Sequence, residues 1–201
     1  SMNPHFFYNA LNTIQSFILS NDKKQAVNYL SKFSNLTRTI LEMTEKEFIS
    51  VADEITTMSL YLDIEKARFD KDFEYEIITV NSADLEHEKI PAMLLQPYVE
   101  NAVKHGLLHK SGFKKVTILF EKVTDKIKIE IEDNGIGRTK SAELNDIKNK
   151  KHNSFATKAM QNRIDLLNEN KTHKITINFI DKENQSKQAM GTTVIIAIPI
   201  Q

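Results

Sequence analysis

The sequence predicts an α+β protein: a helical first third, then a two-layer sandwich of sheet and helices. Three observations carry this. Apolar residues recur at helical spacing through residues 1–70, a stretch with no glycine and one proline, Pro4. Beyond it, residues 73–80, 116–120 and 127–131 alternate apolar and polar as strands do. Helical patterns at 91–108 and 154–168 fall between those strands and two further ones at 174–180 and 192–198. The reading divides the chain into a helical region, residues 1–70, and an α/β domain, residues 71–201, with a hinge near 69–72.

Taken in order, Asn3 can cap a helix whose first turn holds Pro4, where a missing N–H costs nothing. Phe7, Ala10, Leu11, Ile14 and Ile18 share one face of it. Asn21-Asp22 breaks the pattern, and Val27, Leu30, Phe33, Leu36, Ile40 and Leu41 form a second amphipathic run. Together these predict a helical hairpin that dimerises into a bundle. Ser50 with Asp53 three residues on signals the cap of a third helix, to about Phe69. Thr124-Asp125 joins two strands as a hairpin, and polar, lysine-rich residues 134–153 predict a loop.

Composition narrows the function. Lys plus Arg and Asp plus Glu balance at 27 each, which argues against a dedicated nucleic-acid surface. Lysine runs at 114–115 and 148–151 read as solvated faces. With no cysteine there is no disulfide framework, thiolate metal site or cysteine nucleophile. No run approaches the roughly 18 apolar residues of a membrane helix. Ser1-Met2 reads as a cloning remnant, so a sensor or membrane segment is expected upstream.

Two clusters carry chemistry. Within Leu95-Gln96-Pro97-Tyr98-Val99-Glu100-Asn101-Ala102-Val103-Lys104-His105-Gly106, residues three and four apart share a helix face. The Asn101 amide oxygen suits a hard cation such as Mg²⁺, and Lys104 suits phosphate oxygens. Taken alone, Glu100 and Lys104 are better read as a surface ion pair four residues apart. The second cluster, Ile131-Glu132-Asp133-Asn134-Gly135-Ile136-Gly137, is a strand ending in an acid followed by two glycines. Its carboxylate can accept from the amine of adenine, and the glycines let backbone approach a nucleotide. The rival, an Asn-Gly hairpin turn, needs a strand afterwards, and residues 138–143 do not alternate.

Glu100-Asn101-Ala102-Val103-Lys104-His105 resembles the N box of the Bergerat-fold ATPases, the superfamily that includes gyrase B and histidine kinases. Asp133-Asn134-Gly135-Ile136-Gly137 resembles its G1 box, and Gly191-Thr192-Thr193 its closing glycine box. The resemblance implies that Asn101 holds Mg²⁺, Lys104 contacts phosphate, and Asp133 reads adenine with Gly135, Gly137 and Thr193. His105 then either touches phosphate or serves packing. Residues 134–153 become an ATP lid. The glycine-rich opening of the lid helix is replaced by Ser154-Phe155-Ala156-Thr157, which puts lid closure and ATP affinity in question.

The first segment narrows the branch. Asn3-Pro4-His5-Phe6 is similar to the phosphoacceptor motif of LytS/YehU-like sensor histidine kinases, and Tyr61-Leu62-Asp63-Ile64-Glu65-Lys66-Ala67-Arg68-Phe69 and Leu94-Leu95-Gln96-Pro97-Tyr98-Val99-Glu100-Asn101 also resemble that family. The resemblance marks His5 as the residue phosphorylated by ATP, and Glu100 as the base or water-orienting group. It implies a response-regulator receiver domain as partner, a homodimer, and the cytoplasmic part of a membrane-anchored sensor. A neutral imidazole, with a pKa of about 6.5, is a competent nucleophile near pH 7. Commoner kinases place an acid after the phosphoacceptor, where this chain has Phe6. Asn9, one turn on, is a candidate to fix the imidazole instead. Two rivals are an ATPase in which Glu100 activates water, and a nucleotide-binding dimerisation module that never labels His5.

Overall fold

A computed structural model describes residues 4–69, 72–80, 84–107, 109–141 and 150–200, the side chains of 4, 5, 105 and 150–157 excepted. Helix α1 (Pro4–Leu19) turns back through Asn21, at φ 57°, into α2 (Lys23–Thr44). The Asp22 carboxylate caps α2 by accepting from Gln25 N at 3.1 Å. Strand β1 (Phe48–Ser50) leads into α3 (Val51–Phe69), and the expected cap forms: Asp53 N donates to Ser50 Oγ at 3.0 Å. Then follow β2 (Phe73–Val80), a 3₁₀ turn (Leu85–His87), β3 (Lys89–Pro91), α4 (Gln96–Asn101) and a π-helical segment (Ala102–Leu107). Strands β4 (Lys114–Val123) and β5 (Lys126–Asp133) form the predicted hairpin, with Thr124 at φ 47°. Helix α5 (Lys150–Leu167), β6 (Thr176–Glu183) and β7 (Ala189–Pro199) complete the chain.

The main sheet runs β2-β4-β5-β7-β6, parallel between β2 and β4 and antiparallel elsewhere. Val116, Ile118 and Phe120 of β4, Ile127, Ile129 and Ile131 of β5, and Val194, Ile196 and Ile198 of β7 all turn to one buried face. Strict alternation over three neighbouring strands fixes the register, because a one-residue slip would expose all nine.

Several expectations change. Pro91 closes β3, and the helix expected from residue 91 starts at Gln96 with Pro97 in its first turn. Helix α3, read as part of the helical region, is shared. It packs on α2 and also on β1 and β2, while β1 pairs with β3. Residues 70–71, where the hinge was expected, lie outside the described residues. The loop expected through residue 153 gives way to helix from Lys150. Lys114 is buried, donating to Gly112 O at 3.2 Å with its ammonium over the Phe69 ring, because β4 alternation turns it inward. In α1 it is Phe6 and Ala10 that are buried, while Leu11 and Ile18 are exposed. Among the described residues no helix is long and apolar enough to cross a membrane.

Between α3 and α5 lies a buried charge. Glu54 is fully buried, near the backbone of Leu95 and the guanidinium of Arg163, with neither carboxylate oxygen well aligned to a partner. Arg163 donates instead to the carbonyls of Ala92 and Met93. Burial pushes the Glu54 carboxyl up to about 7, against the weaker pull of Leu95 N–H and Arg163. The unfolded chain therefore loses this proton first, and stability falls as pH rises from about 4.5 to about 7. We expect Glu54→Gln to remove that loss, stabilising the chain by about 3 kcal/mol at pH 8 and by little at pH 4.5. Denaturant unfolding at the two pH values checks it, and equal effects at both would refute it.

Candidate functional site

The site forms where β5 ends beneath the α4 and π-helical segment. Asp133 is the last residue of β5, and its parity turns it to the helix-covered face, 5% exposed. Its Oδ1 accepts from Gly135 N at 2.8 Å, and the Thr192 backbone N–H also donates to the carboxylate. Desolvation raises its pKa to about 6, against the lowering by these amides and by Lys182. A π-helix opens the helical turn by one residue and is often found at functional sites. Here it carries Gly106 down onto Asp133: a Cβ on Gly106 would stand 2.6 Å from Oδ1. Gly135 packs against the Gly106 backbone, whose carbonyl accepts from Ile136 N at 3.0 Å. The N-box helix and the G1 turn are thus locked together through two glycines, and any side chain would part them.

Asn101 ends α4 at the entrance to that π turn, on the same side of the sheet as Asp133. Its Nδ2 touches Met160 Sδ of α5 at 3.8 Å, and an amide oxygen such as its Oδ1 could serve a hard cation. No cluster of three or more acidic or histidine side chains able to hold a metal occurs among the described residues. Mg²⁺ takes few protein ligands and keeps water and substrate phosphate oxygens. Glu100, half-buried, accepts from Gln96 Nε2 at 2.9 Å. Lys104 lies half-buried on the π segment. His105 is on that segment and His5 on the first turn of α1, but both side chains lie outside the described residues, as do those of Ser154 to Thr157. Gly137 turns the chain at φ 79° beside Ala189.

Thr193 is not brought to this face. It pairs with Glu132, so its side chain leaves on the opposite side of the sheet from Asp133. Thr192 shares the parity of Val194 and Ile196 and lies on the Asp133 side. The sequence carried the signal: counting back in twos from inward-facing Ile198 and Ile196 reaches Thr192. Arg138 was also missed. It forms a two-pronged ion pair with Asp181, at 2.8 and 2.7 Å, and stacks over Phe179, which fixes the exit from the G1 turn to β6.

This architecture is that of the catalytic region of histidine kinases. The histidine kinase domain of the Erythrobacter litoralis EL346 blue-light activated histidine kinase superposes with a TM-score of 0.53 at 12% identity, covering 98% of this chain and 93% of that one. Residues 1–73 match the family model described as Histidine kinase. Sensor histidine kinase BtsS of Escherichia coli is 41% identical over 137 residues, 66% of this chain and 23% of that protein. Sensor protein LytS of Enterococcus faecalis is 31% identical over 136 residues, 68% of this chain and likewise 23% of that protein. The chain belongs to the sensor histidine kinases of the LytS-like kind. It spans about a quarter of the length of the relatives it matches.

Proposed function

We propose that this chain is the phosphoacceptor and ATP-binding core of a two-component sensor kinase. The γ-phosphoryl group of Mg-ATP passes to a nitrogen of His5: the N–P bond forms, the bond to the β,γ-bridging oxygen breaks, and ADP leaves. The supporting observation is the joining of N box and G1 turn on one sheet face, with Gly106 against the Asp133 carboxylate. Adenine would donate its amine to Asp133. Asn101 would hold Mg²⁺, which neutralises phosphate charge when bound, and Lys104 would meet the phosphates. Such a transfer needs positioning and charge neutralisation more than covalent help from the protein. Glu100, steadied by Gln96, would take the proton from the attacking imidazole or orient a water. Residues 134–153 would serve as the lid.

The phosphoryl group would then pass from His5 to an aspartate of a response-regulator receiver domain. The chain would work as a homodimer, in the cytoplasmic part of a longer, membrane-anchored sensor. Supporting the dimer, Tyr8, Leu11, Ile18, Val27, Leu30 and Leu41 of α1 and α2 stand exposed, an apolar surface unusual on a monomer. Val27→Glu with Leu30→Glu is expected to convert a dimer to a monomer in analytical ultracentrifugation. A monomeric wild type at micromolar concentration would refute the dimer.

Incubation with γ-labelled Mg-ATP tests the function. Acid-labile, base-stable label on the protein supports it. Free phosphate with an unlabelled protein would show an ATPase, and nucleotide binding with neither product a binding module.

A further inference from the structure

Two features of the sequence remain without a role: the phenylalanine that replaces the usual acid after the phosphoacceptor, and the run from Tyr61 to Phe69. The structure brings them together. Phe6 is buried, and its ring centroid lies 5.3 Å from that of Tyr61 in α3, with the rings inclined at 40°. Phe7 and Phe33 complete the cluster, with centroids 5.9 and 6.0 Å from Phe6. Tyr61 is 3% exposed, and its hydroxyl hydrogen-bonds with the carboxyl of Glu65, one turn along α3. Glu65 Oε2 in turn stands 2.7 Å from Arg68 Nη2, and the Arg68 guanidinium stacks 4.7 Å above the Phe69 ring. The residues of the run thus hold one another, and Tyr61 is the member that faces α1.

The same tyrosine lies within electrostatic reach of the N box. The charges of Glu65 and Glu100 both act on its hydroxyl, and Glu65 and Glu100 act on each other. Tyr29 of α2 feels Glu65 and Arg68 as well and hydrogen-bonds with Thr13 of α1, so all three helices register on this cluster. Tyr61 therefore touches the residue next to His5 on one side and lies within electrostatic reach of Glu100 on the other. An acid at position 6 could not occupy this place, since an unpaired carboxylate among three aromatic rings would be costly.

We propose that Phe6 and Tyr61 are positioning residues for histidine phosphorylation: a ring-on-ring contact that seats the start of α1 against α3. The proposal rests on the reading of His5 as phosphoacceptor and adds to it the means by which that residue is presented.

The test compares wild type, Phe6→Leu, Tyr61→Leu, Tyr61→Phe and the Phe6→Leu/Tyr61→Leu double variant of the whole chain. Affinity for a non-hydrolysable ATP analogue is measured beside the rate of acid-labile labelling at saturating ATP. A small misplacement of reacting groups can cost about 100-fold, and a loss of about that size is expected in Phe6→Leu and Tyr61→Leu. Analogue affinity should stay within about twofold. Tyr61→Phe, which keeps the ring, should retain most of the rate. The double variant should be no slower than the worse single one, because the two residues make one contact. Labelling near the wild-type rate in both leucine variants would overturn the proposal. So would affinity falling in step with rate, multiplicative losses in the double variant, or a Tyr61→Phe loss as large as that of Tyr61→Leu. A wild type that binds the analogue yet never labels would remove the phosphoacceptor reading itself, and this inference with it.

Discussion

Asp133→Asn is expected to weaken ATP binding by at least about 100-fold while the protein stays folded, because it trades a charged acceptor for a group with donors. The native carboxylate accepts from the Gly135 and Thr192 amides. An asparagine can satisfy those amides only through its oxygen, which turns its NH₂ toward the amine of adenine. Gly106→Ala approaches the same atoms sterically: its Cβ would stand 2.6 Å from Oδ1. Either the carboxylate or the N-box turn must move, so this substitution should also abolish binding, without any change of charge. Titration with a fluorescent ATP analogue, beside circular dichroism for the fold, checks both. On the proposed reading binding needs the ionised carboxylate, and burial raises its pKa to about 6. Affinity should therefore fall as pH drops below about 6, by up to about tenfold per pH unit. In the nucleotide-free protein the sign is opposite: the buried acid binds its proton more tightly than the unfolded chain does, so stability declines from about pH 4 to about pH 6. Wild-type affinity in Asp133→Asn would separate this carboxylate from nucleotide recognition.

What could be read from the sequence is what short-range rules determine. Ser50 was legible as a cap because capping is a contact between residues three apart. Strands β4, β5 and β7 were legible because their inward residues alternate without a break. The segment around Pro91 was not. Ile90 and Pro91 pair with Ile49 and Phe48, more than forty residues earlier, through a three-residue strand too short to carry a period. Ala92 to Leu95 then follow as a buried loop with Met93 at φ 59°, its carbonyls held by Arg163 of α5. An apolar run beside a proline reads as helix unless that distant arginine is known. The face of α1 was misjudged for a related reason. Its apolar residues exceed one stripe, so periodicity could not decide which of them meet α2 and α3 and which stay exposed. In the site, N box and G1 turn were legible as clusters. Their union was not, because it depends on a π turn and on two glycines meeting across the fold.

The sharpest separation between the kinase reading and its rivals comes from pairing His5→Gln with Asn101→Ala. His5→Gln removes the proposed nucleophile at one end of α1 and leaves every group at the end of β5 untouched. Acid-labile label should disappear, a loss of at least about 1000-fold, while ATP affinity stays within about twofold. Asn101→Ala removes the proposed cation ligand, and its Nδ2 contact to Met160 is weak enough that the fold should survive. Mg-ATP affinity and labelling should then fall together, each by about 100-fold, with the metal dependence of nucleotide binding lost as well. The pairing works because the rivals predict other patterns. If Glu100 activated water, His5→Gln would release phosphate at the wild-type rate, and only Asn101→Ala would slow it. If the chain only bound nucleotide, neither substitution would change a label that was never there. Phosphotransfer alone demands that a residue on the first turn of the first helix govern the fate of the γ-phosphoryl group without touching nucleotide affinity.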